Sequence, residues 1–169
     1  MRTATFALLF GIAYVSAGLL GLNPAALMAP PAHAPPLHFT VLYGYLLGLF
    51  PVNVLHTAVH LAIGAWGILA WRGLASPRLF ARSLAVFYGV LAAIGLIPGI
   101  NTLFGLLPLH GHDVWLHAGT AALAVYFWRT EVLVERRANP IPDRREQMLP
   151  VGRERRFRQN DRRLPGSEV

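Results

Sequence analysis

Four residues stand out by type and spacing as able to do chemistry. His56 and His60 are four apart, and so are Asp113 and His117. On a helix, that spacing stacks both side chains on one face. Imidazole and carboxylate together suit a transition-metal ion, so His56, His60, Asp113 and His117 form a candidate metal set. His60 and His117 alone, from two helices, suit haem iron, or one at a time the magnesium of a chlorophyll-type pigment. A plainer role competes with both. Asn53 and Asp113 are good helix caps, and histidines can hydrogen-bond across helices as polar glue. Spacing alone leaves these roles open. His110 and His112, beside Gly111, read as exposed loop residues.

Other chemistry has little to work with. The chain has no cysteine, which excludes disulfides, thiolate metal sites and cysteine nucleophiles. There is no phosphate-binding glycine loop, no nucleophile elbow and no H-E-x-x-H. No carboxylate pair lies in the apolar segments. The expectation is a protein that is not an enzyme.

The elements that must hold these residues are spans of lipid. Apolar residues make up 54% of the 169-residue chain and charged residues only 14%, with a mean hydropathy of +0.46. A soluble domain of this size could not bury that much apolar surface. Only Arg2, Arg72, Arg78, Arg82 and Asp113 are charged before residue 129. Four spans are expected, at about 5–22, 53–71, 83–97 and 113–128. A helix of 19 residues is about 28 Å long, close to the hydrocarbon thickness. Short apolar segments, 38–50 and 100–109, are expected as further helices that dip into the outer leaflet or lie on it.

Arginine sets the orientation. The positive charges sit at Arg2, in the 72–82 linker and from Arg129 onward, and the two other connections carry none. Both termini are therefore expected in the cytoplasm, in a bacterial inner membrane. This placement fits membrane orientation rather than a nucleic-acid partner, despite a formal charge of +7. Met1-Arg2, an apolar stretch and Ala32-His33-Ala34 also mimic a cleavable leader. Retention as a span is expected, because it completes an internal repeat.

That repeat appears at a shift of 57, pairing Gly48 with Gly105, Pro51 with Pro108, His60 with His117 and Trp71 with Trp128. The first and third spans match at a shift of 77, through Phe10/Phe87 and Gly18/Gly95. The fold class is thus all-α integral membrane, with four helices as two parallel hairpins about an axis along the membrane normal. The repeat sets His56 level with Asp113 and His60 level with His117, so the four can meet. Gly64 and Gly67 continue the histidine face as a small-residue stripe. Ala13/Ala17/Gly21 and Gly95/Gly99 read as further packing rows. Tyr14, Ser16 and Tyr88 read as internally hydrogen-bonded, and the four tryptophans mostly as interface markers.

The run Leu46-Leu47-Gly48-Leu49-Phe50-Pro51-Val52-Asn53-Val54-Leu55-His56-Thr57-Ala58-Val59-His60 resembles the bacterial family called domain of unknown function 4383. Leu106-Leu107-Pro108-Leu109, Trp115-Leu116-His117 and Arg78-Leu79-Phe80-Ala81-Arg82 carry the same resemblance, which covers roughly 4–130. It implies a four-span membrane protein and no activity.

The membrane domain is expected over 1–137, followed by a basic, flexible cytoplasmic tail over 138–169. The expected partners are lipid, other integral membrane subunits and further copies of the chain. The leading functional expectation is an accessory subunit of a respiratory or photosynthetic complex. A haem-, pigment- or metal-binding protein and an oligomeric channel or small-solute transporter are the alternatives.

Overall fold

A computed structural model describes residues 2–138, with side chains as far as 131. The tail expected over 138–169 lies outside the described residues, apart from Ala138 at its start. Four long helices form, α1 (Arg2–Gly21), α2 (Val54–Trp71), α3 (Pro77–Gly95) and α4 (His112–Ala138). α1, α2 and α3 are long and apolar enough to cross a membrane, which marks the chain as a membrane protein.

Local chemistry sets the helix ends. The Asn53 side chain accepts from His56 N–H and opens α2. Ser76 accepts from Leu79 N–H and opens α3, with Pro77 pre-set in its first turn. α2 closes on Gly73, whose φ of +78° lets the chain turn back. α3 stops at Gly95, two residues short of the expected Ile97.

α1 and α2 meet backbone to backbone. A Cβ on Gly67 would lie 2.7 Å from Ala7 O and 2.9 Å from Gly11 Cα. One on Gly64 would lie 2.7 Å from Val15 N and 2.9 Å from Gly11 O. Helices in lipid gain by such close packing, because the hydrophobic effect does not separate them from their solvent. The expected Gly64/Gly67 stripe therefore does pack. The α1 face is only partly the expected one: Gly21 is buried against Thr57, but Ala13 is exposed and Gly11 and Gly18 are buried instead. Gly99 also faces out, with open space around it, so Gly95 packs alone, against Leu109 and Val114. Ser16 is exposed rather than bonded inside. Trp66 is drawn inward and meets Phe80 edge-on at 5.3 Å. Trp128 also packs against the core, with the Arg82 and Arg129 guanidinium groups 5.9 and 5.1 Å from its ring.

The buried faces of α1 and α3 correspond position by position. Phe6, Ala7, Tyr14 and Gly21 are buried in α1, and Phe80, Ala81, Tyr88 and Gly95 in α3. Each pair has the same residue type and is 74 positions apart, three short of the shift of 77 read from the sequence. The two shifts differ by about one helical turn, so composition alone matches almost equally well at either.

The outer segments are not helices. Leu27–Met28, Gly44–Leu46 and Phe50–Val52 form a three-stranded antiparallel sheet, β1-β2-β3. Residues 100–109 form turns, closed by Leu107 N–H to Thr102 O and Leu109 N–H to Asn101 O. The reason is the backbone. Leu42, Leu47, Gly48, Leu103, Phe104 and Gly105 all have positive φ, which no right-handed helix admits. A short apolar run reads alike for helix and strand, so pattern could not decide between them.

Gly67→Val drives a side chain into the α1 backbone. Overpacking of this kind costs about 1–3 kcal/mol, so the melting midpoint in detergent falls by several degrees. Gly119→Val, where an added Cβ meets nothing, leaves it nearly unchanged.

Candidate metal centre

The end of the bundle where α2 begins is organised by Asn53, which is fully buried. Its Oδ1 caps α2, while its Nδ2 donates to Phe39 O at 3.0 Å and Leu106 O at 2.7 Å. One side chain thus joins α2 to both outer segments. Gly105 O accepts from His38 N–H and Phe39 N–H, at 2.9 and 3.1 Å. Each segment supplies partners that the other's irregular backbone needs away from water. Leu109 is buried against Gly95, so the chain enters α4 at a set height on α3.

These anchors bring His56, Asp113 and His117 together. Asp113 Oδ2 lies 3.4 Å from His117 Nε2 and 3.9 Å from His56 Nε2. One ligand atom from each of the three lies within 4.8 Å of the others. All three are buried, Asp113 and His117 to 1% exposure. Among the described residues, Asp113 Oδ2 and both His117 nitrogens have no hydrogen-bond partner. A buried carboxylate and imidazole pair without hydrogen bonds is costly, and a cation among the three would satisfy them.

His60 stands beside this group. Its ring is 4.5 Å from His56 and 5.3 Å from Tyr14. Tyr14 stacks on Tyr88 at 5.4 Å, Tyr88 lies 5.0 Å from His117, and His117 lies 6.0 Å from His56. Five rings thus form a closed circuit, one side of which is bridged by Asp113. Tyr14 also donates to Thr120 Oγ1 over a long 3.4 Å. Tyr14 and Tyr88 were legible only as mid-span polar groups. The 74-residue offset that equates them is the signal for their shared place. A cavity of about 90 Å³ adjoins the circuit, lined by His56, His60, His117 and Tyr88 together with apolar side chains from α2, α3 and the 103–109 turns.

The remaining histidines divide. His33, His38 and His112 are exposed. His110 is not the expected loop residue, since it is 7% exposed with its ring 6.4 Å from Tyr45. The turns that carry it fold back under the sheet instead of into water. Burial holds its imidazole below the ordinary value.

Because burial lowers the His110 pKa, the unfolded chain takes up this proton at higher pH than the folded one. The stability tied to neutral His110 is therefore whole above about pH 6.5 and declines as pH falls below it. The drop in melting midpoint between about pH 7.5 and 5 should be smaller in His110→Gln than in the wild type. An equal drop would place the acid sensitivity elsewhere.

The sequence model of a family described as a domain of unknown function (DUF4383) matches residues 4–129. No curated protein and no solved structure matches the chain.

Proposed function

The chain belongs to the DUF4383 family, whose function is unknown, and on this site we propose that it is a non-enzymatic membrane protein that holds a divalent transition-metal ion on His56, Asp113 and His117. The convergence of these three buried donors from two helices is the observation that carries the reading. Ligands about 2.1 Å from a tetrahedral ion lie about 3.4 Å apart. The His117–Asp113 edge has this length and the His56–Asp113 edge, at 3.9 Å, is near it. Two imidazoles and a carboxylate suit iron, nickel, copper or zinc. Haem or a pigment between His60 and His117 gains no such support. The adjoining cavity is about 90 Å³, whereas pockets for sizeable ligands are about 300–1,000 Å³.

In this reading α4 is a fourth span. The chain then forms two parallel hairpins, α1–α2 and α3–α4, related by an axis along the membrane normal. The matched buried faces of α1 and α3 support it. So do the positive φ values of Leu47 and Gly48, which recur 57 residues on at Phe104 and Gly105. The arginine distribution puts both termini in the cytoplasm and the metal on the outer side. In inside-out vesicles a C-terminal tag should be open to protease, and a protected tag would reverse this orientation.

Chelator-stripped protein in mild detergent, titrated with Co²⁺, should take up one ion per chain. His56→Ala and His117→Ala should each weaken binding by more than about 100-fold, beyond the 10–100-fold typical of outer-shell changes. His60→Ala should weaken it by about 10-fold at most. Uptake in the wild type no greater than in His117→Ala would leave the cluster as helix-to-helix glue. Size exclusion of native membranes, followed by metal analysis, tests the accessory-subunit role in the same preparation. Co-elution of the metal with a large assembly supports it, and elution as a small particle removes it.

A further inference from the structure

Resting on the metal reading, we propose that the ion's open coordination positions face the adjoining cavity and take a small neutral diatomic molecule, such as dioxygen or nitric oxide, that arrives from the bilayer. Two histidines and one carboxylate occupy one side of an ion and leave positions free, the arrangement of ferrous sites that bind dioxygen. His56 and His117 belong both to the donor set and to the cavity wall. An ion held on these two imidazoles would therefore border that space.

The cavity selects by size and polarity. Its volume is about 90 Å³, room for about three waters at their share of liquid volume and smaller than the 150 Å³ that holds benzene. Beyond the histidines and Tyr88 its wall is Val59, Leu91, Leu107 and similar side chains. A hydrated anion would lose its water there without replacement. A neutral diatomic has little hydration to lose, and it concentrates in hydrocarbon. Phe87 at the rim is 41% exposed, beside Val86 and Val90 at 62% and 52% on the outward face of α3. That face of a membrane helix meets lipid, so the route runs laterally between α2 and α3.

The test uses the full-length protein, loaded anaerobically with Fe²⁺ and exposed to nitric oxide. Iron per chain is measured first. The expected result is the half-integer-spin resonance of a ferrous nitrosyl in the wild type. Leu91→Trp fills the cavity from a position that is not itself a ligand, and should keep the iron and lose the nitrosyl signal. Val59→Phe gives the same test from α2 should Leu91→Trp fail to fold. Bound iron without a nitrosyl signal would overturn the diatomic site and leave the metal site standing. A filled variant with an undiminished signal would do the same. Absence of bound iron and of Co²⁺ alike would overturn both. Azide binding as readily as nitric oxide would overturn the lipid route in favour of one from water.

Discussion

A buried carboxyl group is the constraint on which the end of the bundle around Asp113 turns. Asp113 is 1% exposed, and a group of its kind has no water to lean on inside a lipid-facing bundle. Two imidazoles stand within 3.9 Å of it, one on its own helix and one on α2. The i,i+4 step supplies His117 automatically. Supplying His56 takes the whole tertiary arrangement, because α2 must begin at the right height beside α4. Asn53 sets that height by capping α2 and binding carbonyls of both outer segments. The cost of one desolvated carboxyl group thus accounts for an otherwise surplus-looking web of loop hydrogen bonds.

The glycine contact between α1 and α2 meets a second demand. Helices in lipid hold together by packing and hydrogen bonds, and packing falls off steeply with distance. With Gly11 against Gly64 and Gly67, Tyr14 comes within ring contact of His60. α3 uses its own small residues, Ala81, Ala85 and Ala92, to bring Tyr88 beside His117. The stacked tyrosines then join α1 to α3. Small residues at the helix contacts and large rings between them are one design, since each makes room for the other.

The outer segments show how irregular backbone is kept in such a setting. Neither could stand alone in an apolar environment, because turns leave N–H and C=O groups without helical partners. Each answers part of the other's need, through Gly105 to residues 38 and 39 and through Asn53 to both. The positive φ values of Leu47, Leu103 and Phe104 are unusual for leucine and phenylalanine. They are held by the pairing around them.

The sequence by itself determined what depends on local spacing. The apolar runs that became α1 and α2 were legible within three residues, while α3 begins at Pro77, six residues before the expected start. The Asn53 cap, the Gly64/Gly67 stripe and the shared faces of His56/His60 and Asp113/His117 were legible too. All of these follow from helical periodicity and from the chemistry of one side chain with its own backbone. Tertiary structure decided the rest. It chose the Gly11 face of α1 over that of Ala13, strands and turns over short helices at 38–50 and 100–109, and a buried place for His110. It also set His60 beside the three-donor group and closed the circuit through Tyr14 and Tyr88. None of these follows from spacing, because each is settled by which of several similar faces meets a partner from a distant part of the chain.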